Sequence, residues 1–278
     1  MATTDAREAI STLLREHGPK LHGLALRLCG NKADAEDLVQ DVFLQAYRKW
    51  HTFRGESNPS TWLYTIAVRA CRRRMKRQRQ APKPVSQLAP WGETTVTAVA
   101  TRDDADSPQR REAVVRVQQA IAMLPEHFRV PIVLKEVLEL SVEDTAAVMG
   151  VAENTVKTRL HRARLALRKA LLARSRQVAA PAPIFEKQVC LDLLKAKMSA
   201  MDQGGTAHGF AVPQADVCAR CRAVFRELDI VQDACTQLAA GSLPAGVRTR
   251  IERAIAQRDA DAKAAAPRRA GRRPVSRG

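Results

Sequence analysis

Glycine is scarce in this chain, 13 of 278 residues, and few stretches alternate apolar with polar residues. That pattern argues against a sheet-built protein, and the abundance of Ala, Leu, Arg and Glu points to an all-α fold. No run of eighteen apolar residues occurs, which excludes a membrane-spanning helix. The opening MATTDAREAI is polar and lacks the apolar core of a signal peptide, so a cytoplasmic protein is expected. There is no Gly-rich phosphate loop and no Ser/His/Asp spacing, so no enzyme is expected. Acid is also short: 29 Asp and Glu stand against 46 Lys and Arg, a formal charge of +17 and a pI of about 10.3. Such an excess favours a polyanionic partner, nucleic acid before membrane. In a reducing compartment, the six cysteines read as thiols or metal ligands rather than disulfides.

What is present is densest in the middle. Residues 141–170 read SVEDTAAVMGVAENTVKTRLHRARLALRKA, two short helical patterns joined by Gly150-Val151-Ala152. A glycine-containing turn between two helices is the mark of a helix-turn-helix, whose second helix enters the major groove. Ser141 is placed to cap the first helix, with Asp144 in the capping-box position. On the second, Val156, Leu160, Ala163, Leu167 and Leu171 recur every three or four residues and predict the buried stripe. Thr155, Lys157, Thr158, Arg159, His161 and Arg162 are left on other faces near its N-terminus, where a groove-bound helix meets bases and phosphates.

Around that motif the chain divides into blocks. The first block carries helices at about 6–17, 20–29, 33–50 and 60–79, the last capped by Ser60. Pro82, Pro84, Pro90 and Pro108 punctuate a polar stretch that predicts a flexible linker over 81–110. The second block, 111–175, holds the helix-turn-helix; Ala180–Pro183 reads as another hinge; a third block, 184–240, holds four cysteines. The Arg-rich stretch 258–278 predicts a disordered basic tail.

The first block carries charge of both signs. Asp34, Glu36, Asp37 and Asp41 give the helix at 33–50 an acidic face, a docking surface for a basic protein or a solvated face that suits a helix N-terminus. The helix at 60–79 starts aromatic and apolar, with Trp62 and Tyr64, and ends with Arg69, Arg72, Arg73, Arg74, Lys76, Arg77 and Arg79. Such a cationic run calls for phosphates or carboxylates nearby. Aromatics beside a basic strip suit stacking on single-stranded DNA, and core packing is the plainer reading of Trp62 and Tyr64. The polar loop 51–60 has room for an extruded base.

In the third block, Cys218-Ala-Arg-Cys221 is a C-x-x-C at a predicted helix start. Two thiolates at that spacing can share one metal ion, with Cys190 upstream, Cys235 downstream and His208 in the intervening loop as further candidates. A dithiol redox switch is the main rival.

Taken together, DAEDLVQDVFLQAYRKW, FRGESNPSTWLYTIAVRACRRRMKR, LPEHFRVPIVLKEV and the helix-turn-helix segment resemble an extracytoplasmic-function (group IV, sigma-70 family) RNA polymerase sigma factor over roughly residues 7–173. The resemblance implies two helical sigma domains, region 2 over 1–80 and region 4 over 111–175, plus a small helical cysteine-rich domain over 184–240. It implies that Glu36, Asp37, Gln40 and Asp41 dock on the β′ clamp of core RNA polymerase, and that region 4 sits on the β flap. The loop 53–59 and the helix from Ser60 would melt the −10 promoter element, with Arg69, Arg72, Arg73, Arg74 and Lys76 on DNA. Thr155, Lys157, Thr158, Arg159 and Arg162 would read the −35 element, and Cys29 and Cys71 would be small helix residues.

The third block resembles the zinc-binding fold of anti-sigma factors. Cys190, the Met201-Asp202-Gln203-Gly204 corner and Cys218/Cys221 match, while Gln214 stands at the expected histidine and leaves the fourth ligand to Cys235 or His208. A sigma factor with such a tail resembles the metal-responsive CorE-like group, which implies copper, zinc or cadmium as the bound ion; soft thiolates suit all three. A structural zinc site and a redox sensor stay open. The rival functions are an ordinary metal-responsive helix-turn-helix regulator, a thiol oxidoreductase, and a sigma factor autoinhibited by a domain answering to a membrane partner. A separate anti-sigma factor is not excluded.

Overall fold

The computed structural model describes residues 3–29, 31–80, 108–172, 182–204, 217–238 and 242–265. Among these there is no strand, and the fold is all-α, as expected. The predicted linker lies almost wholly outside the described residues, as do the 180–181 part of the second hinge, His208 and Gln214.

The first helix, α1 (Thr3–Cys29), is a single element; the expected break between 17 and 20 does not occur, and Pro19 sits inside it. Gly18 has a packing reason there: a Cβ would meet the Leu243 side chain at 3.0 Å. The second helix, α2 (Lys32–Lys49), is capped by the Asn31 side chain, which accepts from the Asp34 amide at 2.8 Å. The third, α3 (Pro59–Gln80), opens with proline at its first position, where its missing N–H costs nothing. Its cap is Asn58 and not Ser60: the Asn58 Oδ1 accepts from both the amide and the hydroxyl of Ser60. Leu14, Leu24, Val39, Phe43, Leu63 and Val68 close the core among these three helices.

The second block contributes α4 (Pro108–Met123) and α5 (Glu126–Ile132), which continues into a π-helical turn, Val133–Val137. It ends with α6 (Val142–Met149) and α7 (Glu153–Leu172). Ser141 caps α6 through the Asp144 amide at 2.8 Å, and Gly150 closes it at φ +67°, the left-handed conformation that glycine adopts without strain. All five residues of the predicted α7 stripe are buried.

The third block does not stand apart. In it α8 (Lys187–Asp202) and the first half of α9 (Ala219–Gln237) make two small clusters of their own. The second half of α9, from Val231 to Leu238, belongs to the main core shared with the first two blocks. A further helix, α10 (Ala245–Ala265), lies along α2 and α1. It carries helix eight residues into the stretch expected to be disordered from 258; residues 266–278 lie outside the described set.

Candidate nucleic-acid interface and thiol site

The exposed face of α7 gathers most of the residues expected there. Thr155, Thr158, Arg159 and Arg162 line one shallow groove with Asn154 and with His127 and Phe128 of α5. The Thr158 hydroxyl donates to the Asn154 carbonyl at 2.8 Å. Lys157 points elsewhere, 3.6 Å from Glu153 one turn earlier. His127 and Phe128 were not singled out by sequence, because nothing local to LPEHFRV signals that α5 flanks the second helix of the motif.

Two other cations of α7 face inward. Arg164 is 1% exposed; its Nε and Nη2 lie 3.0 and 2.5 Å from Glu136 Oε1, and its Nη1 lies 2.6 Å from Asp202 Oδ1. Burial opposes its charge and the two carboxylates hold it, so the guanidinium stays firmly protonated. Arg168 pairs with Glu227 of α9. Asp202, at the C-terminal corner of α8, thus ties the third block to the helix that reads DNA in a helix-turn-helix.

The basic run of α3 divides in the same way. Arg69, Arg73 and Lys76 are exposed. Arg72 is held 3.1 Å from Glu126 of α5, and Arg74 lies 2.5 Å from Asp34 and 3.4 Å from Asp37. Arg72 and Arg74 therefore serve as joints between helices, a use the run of cations alone does not reveal. Nearby, Trp50, Phe53 and Trp62 form one half-buried aromatic cluster, with ring centroids 5.1, 5.5 and 5.8 Å apart. The Thr61 hydroxyl at the start of α3 donates to Asp144 of α6 at 2.9 Å.

The acidic face of α2 is partly covered. Asp37 and Asp41 are exposed and Gln40 is half-buried. Glu36 retains 18% side-chain exposure, with Lys32 at 3.9 Å and Arg250 of α10 at 3.1 Å.

Three of the expected metal ligands converge. The thiols of Cys190, Cys218 and Cys221 lie within 4.8 Å of one another. Cys218 caps α9, and the Cys221 backbone N–H heads the groups that hold its thiol below the usual range. Burial, then the neighbouring thiols, pushes Cys221 up to about 12. Phe185, Leu191, Leu194, Val224 and Phe225 wall an apolar cleft beside Cys190 and Cys221. Zn–S bonds of about 2.3 Å place tetrahedral sulfurs about 3.8 Å apart, so this donor set fits three corners of a thiolate site or a trigonal Cu(I) site. Cys235 is not a fourth corner. It lies fourteen residues beyond Cys221 on α9, about 21 Å along the axis, and is buried in the main core near Arg27, Glu136 and Arg164. Cys71 of α3 is buried in the main core and Cys29 of α1 packs half-buried against it.

Comparison with known proteins covers the first two blocks. Residues 13–81 match the family model described as Sigma-70 region 2, and residues 108–167 match Sigma-70, region 4. The chain is 34% identical over 166 residues to the ECF RNA polymerase sigma factor SigM of Mycobacterium tuberculosis, covering 59% of this chain and 78% of that protein. It is 34% identical over 169 residues to the RNA polymerase sigma-H factor of Pseudomonas aeruginosa, and 34% identical over 172 residues to SigW of Bacillus subtilis. These matches cover 59% of this chain in each case and 87% and 90% of the two relatives.

Proposed function

Because the chain belongs to the extracytoplasmic-function sigma factors of the sigma-70 family, we propose that it directs core RNA polymerase to promoters under the control of metal bound in its own third block. Its partners on this reading are core polymerase and promoter DNA. Asp37 and Asp41, with Glu36 and Gln40 beside them, meet the β′ clamp. The groove of Thr155, Thr158, Arg159 and Arg162 meets the −35 element, and His127 and Asn154 border it. Arg69, Arg73 and Lys76 hold backbone phosphates near the −10 element, where the Trp50–Phe53–Trp62 cluster offers faces for unstacked bases.

The observation that carries the metal part is the convergence of Cys190, Cys218 and Cys221 on a block tied to α7 through Arg164–Asp202 and Arg168–Glu227. Cys190 would hold the ion from α8, and Cys218 and Cys221 from the first turn of α9. A bound copper, zinc or cadmium ion supplies a cross-link between those helices. This chain's own residues do the rest: α8 ends on Asp202, so a change in its seat against α9 bears on the Arg164 ion pair and on the second helix of the motif. Cys218→Ser is the informative variant in run-off transcription with core polymerase, titrating copper, zinc and cadmium in turn. The wild-type chain is expected to change its output with one of these ions and the variant to lose that response. Equal curves for the two chains with every ion would remove the metal control and leave the promoter function standing.

A further inference from the structure

The helix α10 lies along the Glu36 edge of the α2 surface that the proposed function gives to polymerase. Its buried residues fall every fourth position: Val247, Ile251 and Ile255, each at most 3% exposed, and then Asp259 at 8%. Arg250 stands 3.1 Å from Glu36. Nine residues on, Asp259 accepts from the Tyr47 hydroxyl and lies 3.8 Å from Arg7. Contact positions rise together along both helices, from Glu36 to Tyr47 and from Arg250 to Asp259, so α10 runs alongside α2 in the same direction. At about 100° per residue, Glu36, Gln40 and Tyr47 share one stripe of α2, while Asp37 and Asp41 lie further round. The helix therefore covers Glu36 and leaves Asp37 and Asp41 open, which accounts for their exposure against the cover on Glu36.

We infer that α10 occupies, within the chain, the docking surface of α2, so that core polymerase and α10 compete for Glu36 and its stripe. The surface fits a helix that brings a guanidinium to Glu36 and aliphatic side chains to the groove between α1 and α2. This chain supplies such a helix itself, and seating on polymerase requires it to leave. The inference rests on the proposed docking role of α2 and adds the means by which that surface is withheld.

Amide hydrogen exchange on the full chain, alone and mixed with core polymerase, tests the competition directly. Residues 247–259 are expected to be protected in the free chain and to lose most of that protection in the complex. The double variant Arg250→Glu/Ile251→Asp is expected to bind core polymerase at least tenfold more tightly than wild type. Asp259→Asn, a milder change that keeps the aliphatic stripe, is expected to shift affinity the same way by a smaller factor. A complex in which 247–259 stay as protected as before overturns the inference while leaving the sigma function intact; so do variants that bind no more tightly. Failure of wild type and both variants to bind core polymerase at all brings down the docking role itself, and the competition with it.

Discussion

At the scale of single residues, Arg164 shows how far a side chain's role can lie from its sequence context. It sits in the cationic run of α7, two residues beyond Arg162. The fold instead buries it against Glu136, 28 residues upstream, and Asp202, 38 downstream. Removing one partner of a buried pair leaves an uncompensated charge, at a cost of about 3–5 kcal/mol. Arg164→Met is therefore expected to lower unfolding stability by about that much in urea titration, and Arg164→Met/Glu136→Leu to recover a large part of it. His22 gives a pH dependence. Burial holds its imidazole below its ordinary value of 6.5, against the opposing pull of the Ser242 carbonyl and Glu36 and with help from Lys32 and Arg27. Its Nε2 is buried with no hydrogen-bond partner, so protonation there would bury a charge. The unfolded chain takes up this proton more readily. His22 thus contributes stability above pH 6.5 that is lost as pH falls below it. His17 and His161 are shifted the same way by burial. The melting temperature is expected to fall between pH 7.5 and 5.5, with a shallower fall in His22→Asn.

At the scale of elements, the sequence was most legible where periodicity and caps coincide. The α7 stripe, the Ser141 cap and the Gly150 turn all stand where the pattern puts them, because each is set by contacts within a few residues. Legibility ends where long-range partners decide. Pro19 forecasts a break that packing overrides, and Arg72 and Arg74 look like their neighbours until Glu126, Asp34 and Asp37 are brought beside them. The helix α10 is hard to read from sequence because its stripe is only Val247, Ile251 and Ile255 among Arg and Ala, a seam that gains meaning from α2. Burying those three side chains contributes about 1.5–3 kcal/mol each before the cost of ordering the helix, which suits an element able to detach locally. On α3, Arg73→Ala is expected to reduce the slope of log affinity for promoter DNA against log salt by about 1. Arg74→Ala is expected to leave that slope nearly unchanged, since its guanidinium already serves Asp34 and Asp37. Salt titrations of the holoenzyme on one promoter fragment would separate the two. Arg159→Ala or Arg162→Ala is expected to cost about 1–3 kcal/mol in promoter affinity if that side chain reads a base edge.

At the scale of the whole molecule, residues of all three blocks meet in one shared core. The order of the two sigma regions was readable, since each carries its own motif. The closure of the third block onto them was not, because Val231, Cys235 and Leu238 are ordinary apolar positions until the chain folds back. That closure explains why Cys235 is lost as a ligand: the half of α9 that carries it faces the main core, while the half that begins at Cys218 meets α8. It also brings α10 onto α2, α9 onto α4 and α7, and Asp202 onto Arg164 of α7.

The central claim, that this closed chain is a promoter-specificity factor whose surfaces are released by its own third block, has one direct measurement. The full chain is combined with core polymerase and genomic promoter fragments across copper, zinc and cadmium concentrations, and start sites are mapped. Initiation at discrete sites that requires the chain, and that rises or falls with one ion, is the predicted result. Transcripts that are the same with and without the chain, under every ionic condition, would contradict it.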